Sequence, residues 1–136
     1  MIALLWSLLA LFVLRVAGQA LVAFFGITWL PPAERWYSGL MPYAYLLPSQ
    51  IALIVIMAKI CADFTRRRGF FVQPRHFFAV HWLWFGWVYL AVMLIRLPAQ
   101  LLFAPGAPLI PIFFHWVLAA FVITVGLWHR RRLRHD

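Results

Sequence analysis

The stretch "LALFVLRVAGQALVAFF", residues 9–25, is apolar or small throughout except for Arg15 and Gln19. An α-helix needs about 20 such residues to cross the ~30 Å hydrocarbon core of a bilayer. A transmembrane strand alternates apolar and polar residues, so this continuous run favours a helix. The stretch therefore predicts a transmembrane helix with a permanent positive charge, Arg15, inside the membrane.

The composition extends this prediction to the whole chain. Of its 136 residues, 66% are hydrophobic and 11% are charged, whereas a soluble domain is about 25% charged. So few polar side chains do not cover the surface of a soluble fold. We expect one all-α integral membrane domain over residues 1–136, a bundle of four transmembrane helices. The apolar runs place these helices at residues 2–30, 46–64, 77–97 and 109–128.

The basic residues predict how the bundle is oriented. Nine of the twelve lysines and arginines lie around the second connection or in the C-terminal tail: Lys59, Arg66, Arg67, Arg68, Arg75, Arg130, Arg131, Arg132 and Arg134. Four spans bring both groups to one side, which the positive-inside rule makes cytoplasmic. We expect both termini on the anionic inner face of a bacterial inner (plasma) membrane. Nucleic acid is not an expected partner, because these runs adjoin helix ends and lack a folded basic module.

The other two connections are apolar and aromatic. "LPPAERWYSGLMPYAYLLPSQ", residues 30–50, contains four tryptophans and tyrosines, which favour the headgroup region. Its Pro31 and Pro32 favour a short helix over residues 33–37. "RLPAQLLFAPGAPLIP", residues 96–111, is similarly apolar. We expect both connections to lie in the outer interface rather than in free solution.

Polar residues from all four helices predict one cluster in the outer half of the membrane. Arg15 and Gln19 are four residues apart, which places them on one helix face. Gln50, Arg96 and His115 have comparable depths on the other helices. Donors exceed acceptors in this set, so it suits a carbonyl, phosphate or quinone oxygen. The alternative is a set of interhelical hydrogen bonds that only hold the bundle together.

Two histidines raise the question of a haem. His115 and His129 are fourteen residues apart, so they share a helix face near opposite sides of the membrane. In this spacing alone, the fourth helix resembles a helix of membrane b-type cytochromes. The third helix supplies only His81 within the membrane, which limits the prediction to one bis-histidine haem, His81–His129. The alternative is that these are ordinary polar residues near helix ends.

Two local features predict packing at the cytoplasmic half. Lys59 and Asp63 are four residues apart in the second helix, a spacing that favours an ion pair. Small residues on the third and fourth helices, among them Gly86 and Gly126, favour close helix contact.

The single cysteine, Cys61, excludes an internal disulfide, and the chain lacks the ligand spacing of a zinc site.

These observations favour binding over catalysis. The chain has only three carboxylates, and no nucleophile–base pair or glycine-rich phosphate loop is evident. We predict a small accessory subunit that packs against other membrane subunits or a second copy, or binds an isoprenoid or other lipid-like cofactor. The strongly aromatic third helix, "HFFAVHWLWFGWVYL" at residues 76–90, favours such contacts. The alternatives are a redox anchor subunit that binds quinone or one b-type haem, and a small anion transporter or channel.

Overall fold

The computed structural model describes residues 1–36 and 41–135, and this part of the chain is helical without any strand. Its four long helices are α1 (Ile2–Phe25), α2 (Tyr43–Arg66), α3 (Leu83–Phe103) and α4 (Ile110–Leu133). A π-helical turn, Phe78–Trp82, leads directly into α3. All four spans are long and apolar enough to cross a membrane. The chain is therefore an integral membrane protein with an all-helical fold.

The end of α1 differs from the sequence prediction. The helix ends at Phe25 rather than near residue 30, because Gly26 adopts a left-handed conformation with φ 59°. The Gly26 N–H still bonds to the carbonyl of Val22, which caps the last turn. The chain is thus free to turn back over the bundle before the two prolines, Pro31 and Pro32.

The start of α2 and the end of α3 differ from the prediction because a proline lies inside each of these helices, and α4 continues beyond residue 128 to Leu133. Helix α2 begins directly after Pro42 and runs through Pro48, and α3 continues through Pro98 to Phe103. Proline removes one backbone hydrogen bond from a helix. In hydrocarbon every further unpaired backbone group costs several kcal/mol, so the remaining helical bonds favour continuing the helix.

Helices α1 and α4 form the centre of the bundle. Helix α1 packs against α2 and α4, and α4 packs against α3 and the π-helical turn. The approach of α3 to α4 depends on two glycines, as predicted. A Cβ at Gly86 would lie 2.6 Å from Ile123, and one at Gly126 would lie 2.8 Å from Leu83.

The apolar core follows α1 and is completed by α2 and α4. Its buried members are Leu5, Leu8, Leu9, Phe12, Val16, Met57, Ile60, Cys61, Phe64, Val117, Phe121 and Val125. Helix α3 contributes fewer buried residues, so much of its surface faces outwards.

The two ends of the bundle differ in chemistry. At the "basic end", the start of α1, the connection after α2 and the end of α4 come together, since Ile2, Arg67 and Arg132 line one cleft. At the other end, here called the "Trp36 end", the connection after α1 folds back over the helices. The predicted short helix is a 3-10 turn over Ala33–Arg35, and the predicted last residue, Tyr37, lies outside the described residues.

Candidate functional site

Arg15 lies on α1 with only 8% of its surface exposed. Its Nη2 donates to the backbone carbonyl oxygen of Trp36 at 3.0 Å. Its Cζ lies 5.4 Å from the centre of the Phe114 ring on α4, within the range of a cation–π contact. Its Nε has no hydrogen-bond partner among the described residues. The guanidinium is thus enclosed by protein but only partly satisfied by it.

Trp36 covers the Arg15 side chain at the Trp36 end of the bundle. Its indole N–H donates to the carbonyl of Pro31 at 2.8 Å, and its ring lies directly on Gly18. A Cβ at Gly18 would lie 2.7 Å from a ring carbon of the indole. The glycine therefore admits the tryptophan ring, and the ring holds the Trp36 carbonyl above Arg15. The sequence predicts that this connection lies in the outer interface, but no motif in it marks Trp36 as a cover for Arg15.

Gln19 and Gln50 join α1 to α2 beside the arginine. Gln50 Nε2 donates to Gln19 Oε1 at 3.3 Å, and both side chains are buried. Gln50 Oε1 has no partner within residues 1–36 and 41–135. Nor has the buried hydroxyl of Tyr43, whose ring packs against Phe24. Gln50 thus offers one buried acceptor at this site, and the Tyr43 hydroxyl lies nearer the start of α2.

His115 is paired with Tyr89, a residue outside the cluster that the sequence predicts. Its Nδ1 is hydrogen-bonded to the hydroxyl of Tyr89 on α3. Both side chains lie within electrostatic range of the Arg15 guanidinium. Arg96 lies within range of Tyr89 and His115, and it is only partly buried. The phenol–imidazole pair is therefore a neighbour of the arginine.

The buried charge of Arg15 has no carboxylate partner in the described part of the chain. The ion pair found there joins Lys59 to Asp63, as the sequence predicted, and Glu34 is exposed. Arginine stays protonated in proteins. A buried charge without a counter-charge is costly, so the site favours an anionic oxygen.

The two proposed haem ligands have different surroundings. The exposed ring of His81 stacks on Phe77 at 4.7 Å. The ring of His129 is fully buried between Phe78 and Trp128. Its Nδ1 accepts a hydrogen bond from the backbone N–H of Arg75 at 3.3 Å, which leaves Nε2 for any ligation. The haem stays a prediction.

No metal centre is found in the described ranges, where no three His, Cys, Asp or Glu side chains are close enough to hold an ion. The chain matches no known protein family, no curated protein and no solved structure. Any inference about its function therefore has to come from the positions and contacts of its side chains.

Of the five residues predicted for the polar cluster, Arg15, Gln19 and Gln50 form a buried set, here called the "Arg15 site". His115 lies beside it with Tyr89, and the partly buried Arg96 lies within electrostatic range of that pair.

Proposed function

We propose that this chain is a small accessory membrane protein that binds a lipid-like molecule through an anionic oxygen at the Arg15 site. The observation that carries the proposal is the burial of Arg15 without a carboxylate in the described residues. Such a charge within a membrane costs several kcal/mol unless a partner compensates it. A bound anion supplies that partner.

The free polar groups of the site favour a phosphate monoester. Arg15 Nε has an N–H to donate and Gln50 Oε1 is an acceptor, and neither has a partner among the described residues. A singly protonated phosphate would accept from the first and donate its own hydroxyl to the second. Charge-assisted bonds from arginine to phosphate are among the strongest hydrogen bonds in proteins. A neutral head group would leave the arginine charge uncompensated.

The groove between α2 and α3 favours a ligand with an apolar tail, such as an isoprenoid. It has a volume of about 410 Å³ and begins at Leu53, one turn from Gln50. Its walls include Met57, Ile60 and Phe85, and its floor includes Phe121 from α4. The volume falls within the range of about 300–1,000 Å³ that is usual for ligand pockets.

The outward aromatic residues of α3 favour the accessory role. Trp84, Phe85 and Trp87 are each more than half exposed, so another membrane subunit or a second copy would cover them.

We place the basic end on the cytoplasmic side of a bacterial inner membrane, on the positive-inside rule. Cysteine labels at residues 68 and 135 should then both react from the cytoplasm.

Native mass spectrometry of the protein, purified in mild detergent, tests the phosphate ligand. The wild type should carry a lipid that ends in a phosphate monoester. Arg15→Gln should retain it roughly 10–100-fold less, since a hydrogen bond to a charged group contributes about 1.5–3 kcal/mol. Arg15→Lys should retain an intermediate amount, because it keeps the charge and loses the planar fork.

The matched control is Arg35→Gln, which removes an exposed arginine from the same end. It should retain the lipid as the wild type does. Equal retention by the wild type and Arg15→Gln would overturn the proposal.

A quinone is the second candidate ligand, favoured by the hydrogen-bonded pair of Tyr89 and His115 beside the site. A quinone needs hydrogen bonds rather than a counter-charge, so Arg15→Gln should still retain it. A quinone in an organic extract is identified by an ultraviolet absorbance that changes on reduction with borohydride.

A reduced-minus-oxidised Soret signal that His129→Ala abolishes would instead support the haem.

A further inference from the structure

A cleft at the basic end lies between the start of α1, the connection after α2 and the end of α4. It has a volume of about 520 Å³. Its apolar wall includes Ile2, Phe64, Val72 and Trp128, and two cations, Arg67 and Arg132, also line it. The cleft thus combines an apolar wall with two positive charges, at the end of helices that span a membrane.

The two arginines differ in how the structure positions them. The Cζ of Arg132 lies 5.5 Å from the centre of the Trp128 ring, which holds the guanidinium at the wall of the cleft. Arg67 ends α2 in a left-handed conformation with φ 53°, the one non-glycine residue with positive φ in the described ranges. Glycine adopts this conformation without the cost of about 1–2 kcal/mol that other residues bear. An arginine therefore occupies a position that favours glycine.

The carboxylate of α2, Asp63, already has a partner on each of its two oxygens. Asp63 Oδ1 pairs with Lys59, and Asp63 Oδ2 accepts the backbone N–H of Phe71. Both oxygens therefore have partners other than the two arginines of the cleft. Within residues 1–36 and 41–135 no ion pair is found for Arg67 or Arg132, so an anion from outside the chain is a suitable partner.

An adjoining groove indicates that this anion carries an acyl chain. The groove has a volume of about 750 Å³ and lies between the start of α1 and α4. It shares Ile2 and Trp128 with the cleft, and it continues along Leu4 and Leu127. Arg131 also lines this groove, but a free phosphate would not fill its apolar part along Leu4 and Leu127.

We propose that Arg67 and Arg132 bind the phosphate of an anionic phospholipid, whose acyl chain lies along Leu4 and Leu127. Arginine binds phosphate oxygens in pairs through its planar fork. Basic pockets between the ends of transmembrane helices bind anionic headgroups in this way. This lipid site lies at the opposite end from the Arg15 site and stands independently of the function proposed for it.

The test uses the delipidated protein in nanodiscs of phosphatidylcholine mixed with phosphatidylglycerol. Native mass spectrometry measures which lipid stays bound as the collision energy is raised. Arg132→Gln and Arg67→Gly should each lower the retention of phosphatidylglycerol roughly fivefold, since one basic residue near the surface contributes about 1 kcal/mol. The unfolding midpoint of Arg67→Gly should equal or exceed that of the wild type, because glycine relieves the left-handed strain. This variant therefore separates loss of binding from loss of folding.

Arg68→Gln and Arg134→Gln are matched controls, because both arginines are exposed neighbours that do not line the cleft. They should retain phosphatidylglycerol as the wild type does. Equal losses in controls and cleft variants would overturn the proposal and indicate a diffuse surface charge. Complete displacement of the lipid by millimolar inorganic phosphate would also overturn it, since the acyl chain would then contribute nothing.

Discussion

Asp63 and Arg15 are two buried charges with different degrees of satisfaction. They are 5% and 8% exposed, respectively. Asp63 has Lys59 on one carboxylate oxygen and the Phe71 N–H on the other. Arg15 has one backbone carbonyl, and its Nε has no partner in the described part of the chain.

The difference supports the proposal that Asp63 serves the fold and that Arg15 serves a ligand. Buried polar groups that stabilise a fold are nearly always satisfied by the chain or by water. Asp63 meets this expectation, and it fixes the start of the connection that follows α2. Arg15 has fewer partners than Asp63 among the described residues, although it is almost as deeply buried. We therefore assign Asp63 to the fold, and the difference supports the binding role proposed for Arg15.

The largest expected effect on the free energy of unfolding is at Gly69. This residue has a φ of 125° and lies against the Asp63 carboxyl group. Gly69→Ala adds a Cβ that collides with the Asp63 carboxyl carbon and strains the backbone. We expect a loss of about 3 kcal/mol in the free energy of unfolding, measured by denaturant titration in detergent micelles.

Gly106→Ala is the control, because Gly106 also has positive φ (90°) but nothing lies within 4 Å of the position that an added Cβ would take. It should lose only the strain part, about 1 kcal/mol. Equal losses in the two variants would show that contact with Asp63 does not matter.

Removal of the carboxylate should have the next largest effect. Asp63→Leu leaves the Phe71 N–H without its acceptor, and we expect a loss of about 2 kcal/mol in the free energy of unfolding. Lys59→Gln should lose less than about 1 kcal/mol, because the Lys59 side chain is 57% exposed. If Lys59→Gln lost as much as Asp63→Leu, the ion pair rather than the backbone bond would be the stabilising contact.

A smaller effect is expected where Trp36 covers the Arg15 site. Gly18→Ala places a methyl group against the indole ring, and we expect it to cost about 1–2 kcal/mol and to weaken ligand retention. The matched background is Trp36→Ala, in which the same change at Gly18 should cost little. A double-mutant cycle measures this coupling, and additive effects would contradict the contact.

The fold was largely predictable from the sequence, because bilayer thickness sets the length of each apolar run. The four spans and the close approach at Gly86 and Gly126 follow from run length and residue size. The helix bounds were less predictable, since Pro98 marks the end of a helix in water but lies inside α3. Positions near prolines depend on the surrounding solvent, which residue type does not encode.

The candidate site was predictable only where helical spacing decides it. Arg15 and Gln19 share a face because they are one turn apart, and Gln50 was placed by its depth along α2. The Trp36 carbonyl was missed, because every residue has one and no side chain marks its use. Tyr89 was missed because its pairing with His115 depends on how α3 is rotated about its axis.

The most direct test of the central claim is the free energy of unfolding of Arg15→Met in lipid-free protein, compared with the wild type. Replacing a buried, poorly compensated charge by an apolar side chain is often neutral or stabilising. We predict that Arg15→Met unfolds at the same free energy as the wild type or a higher one, and that an added isoprenoid phosphate monoester stabilises the wild type more than the variant. A loss of about 2 kcal/mol or more in lipid-free Arg15→Met, as large as that expected for Asp63→Leu, would contradict the account and assign Arg15 to the fold.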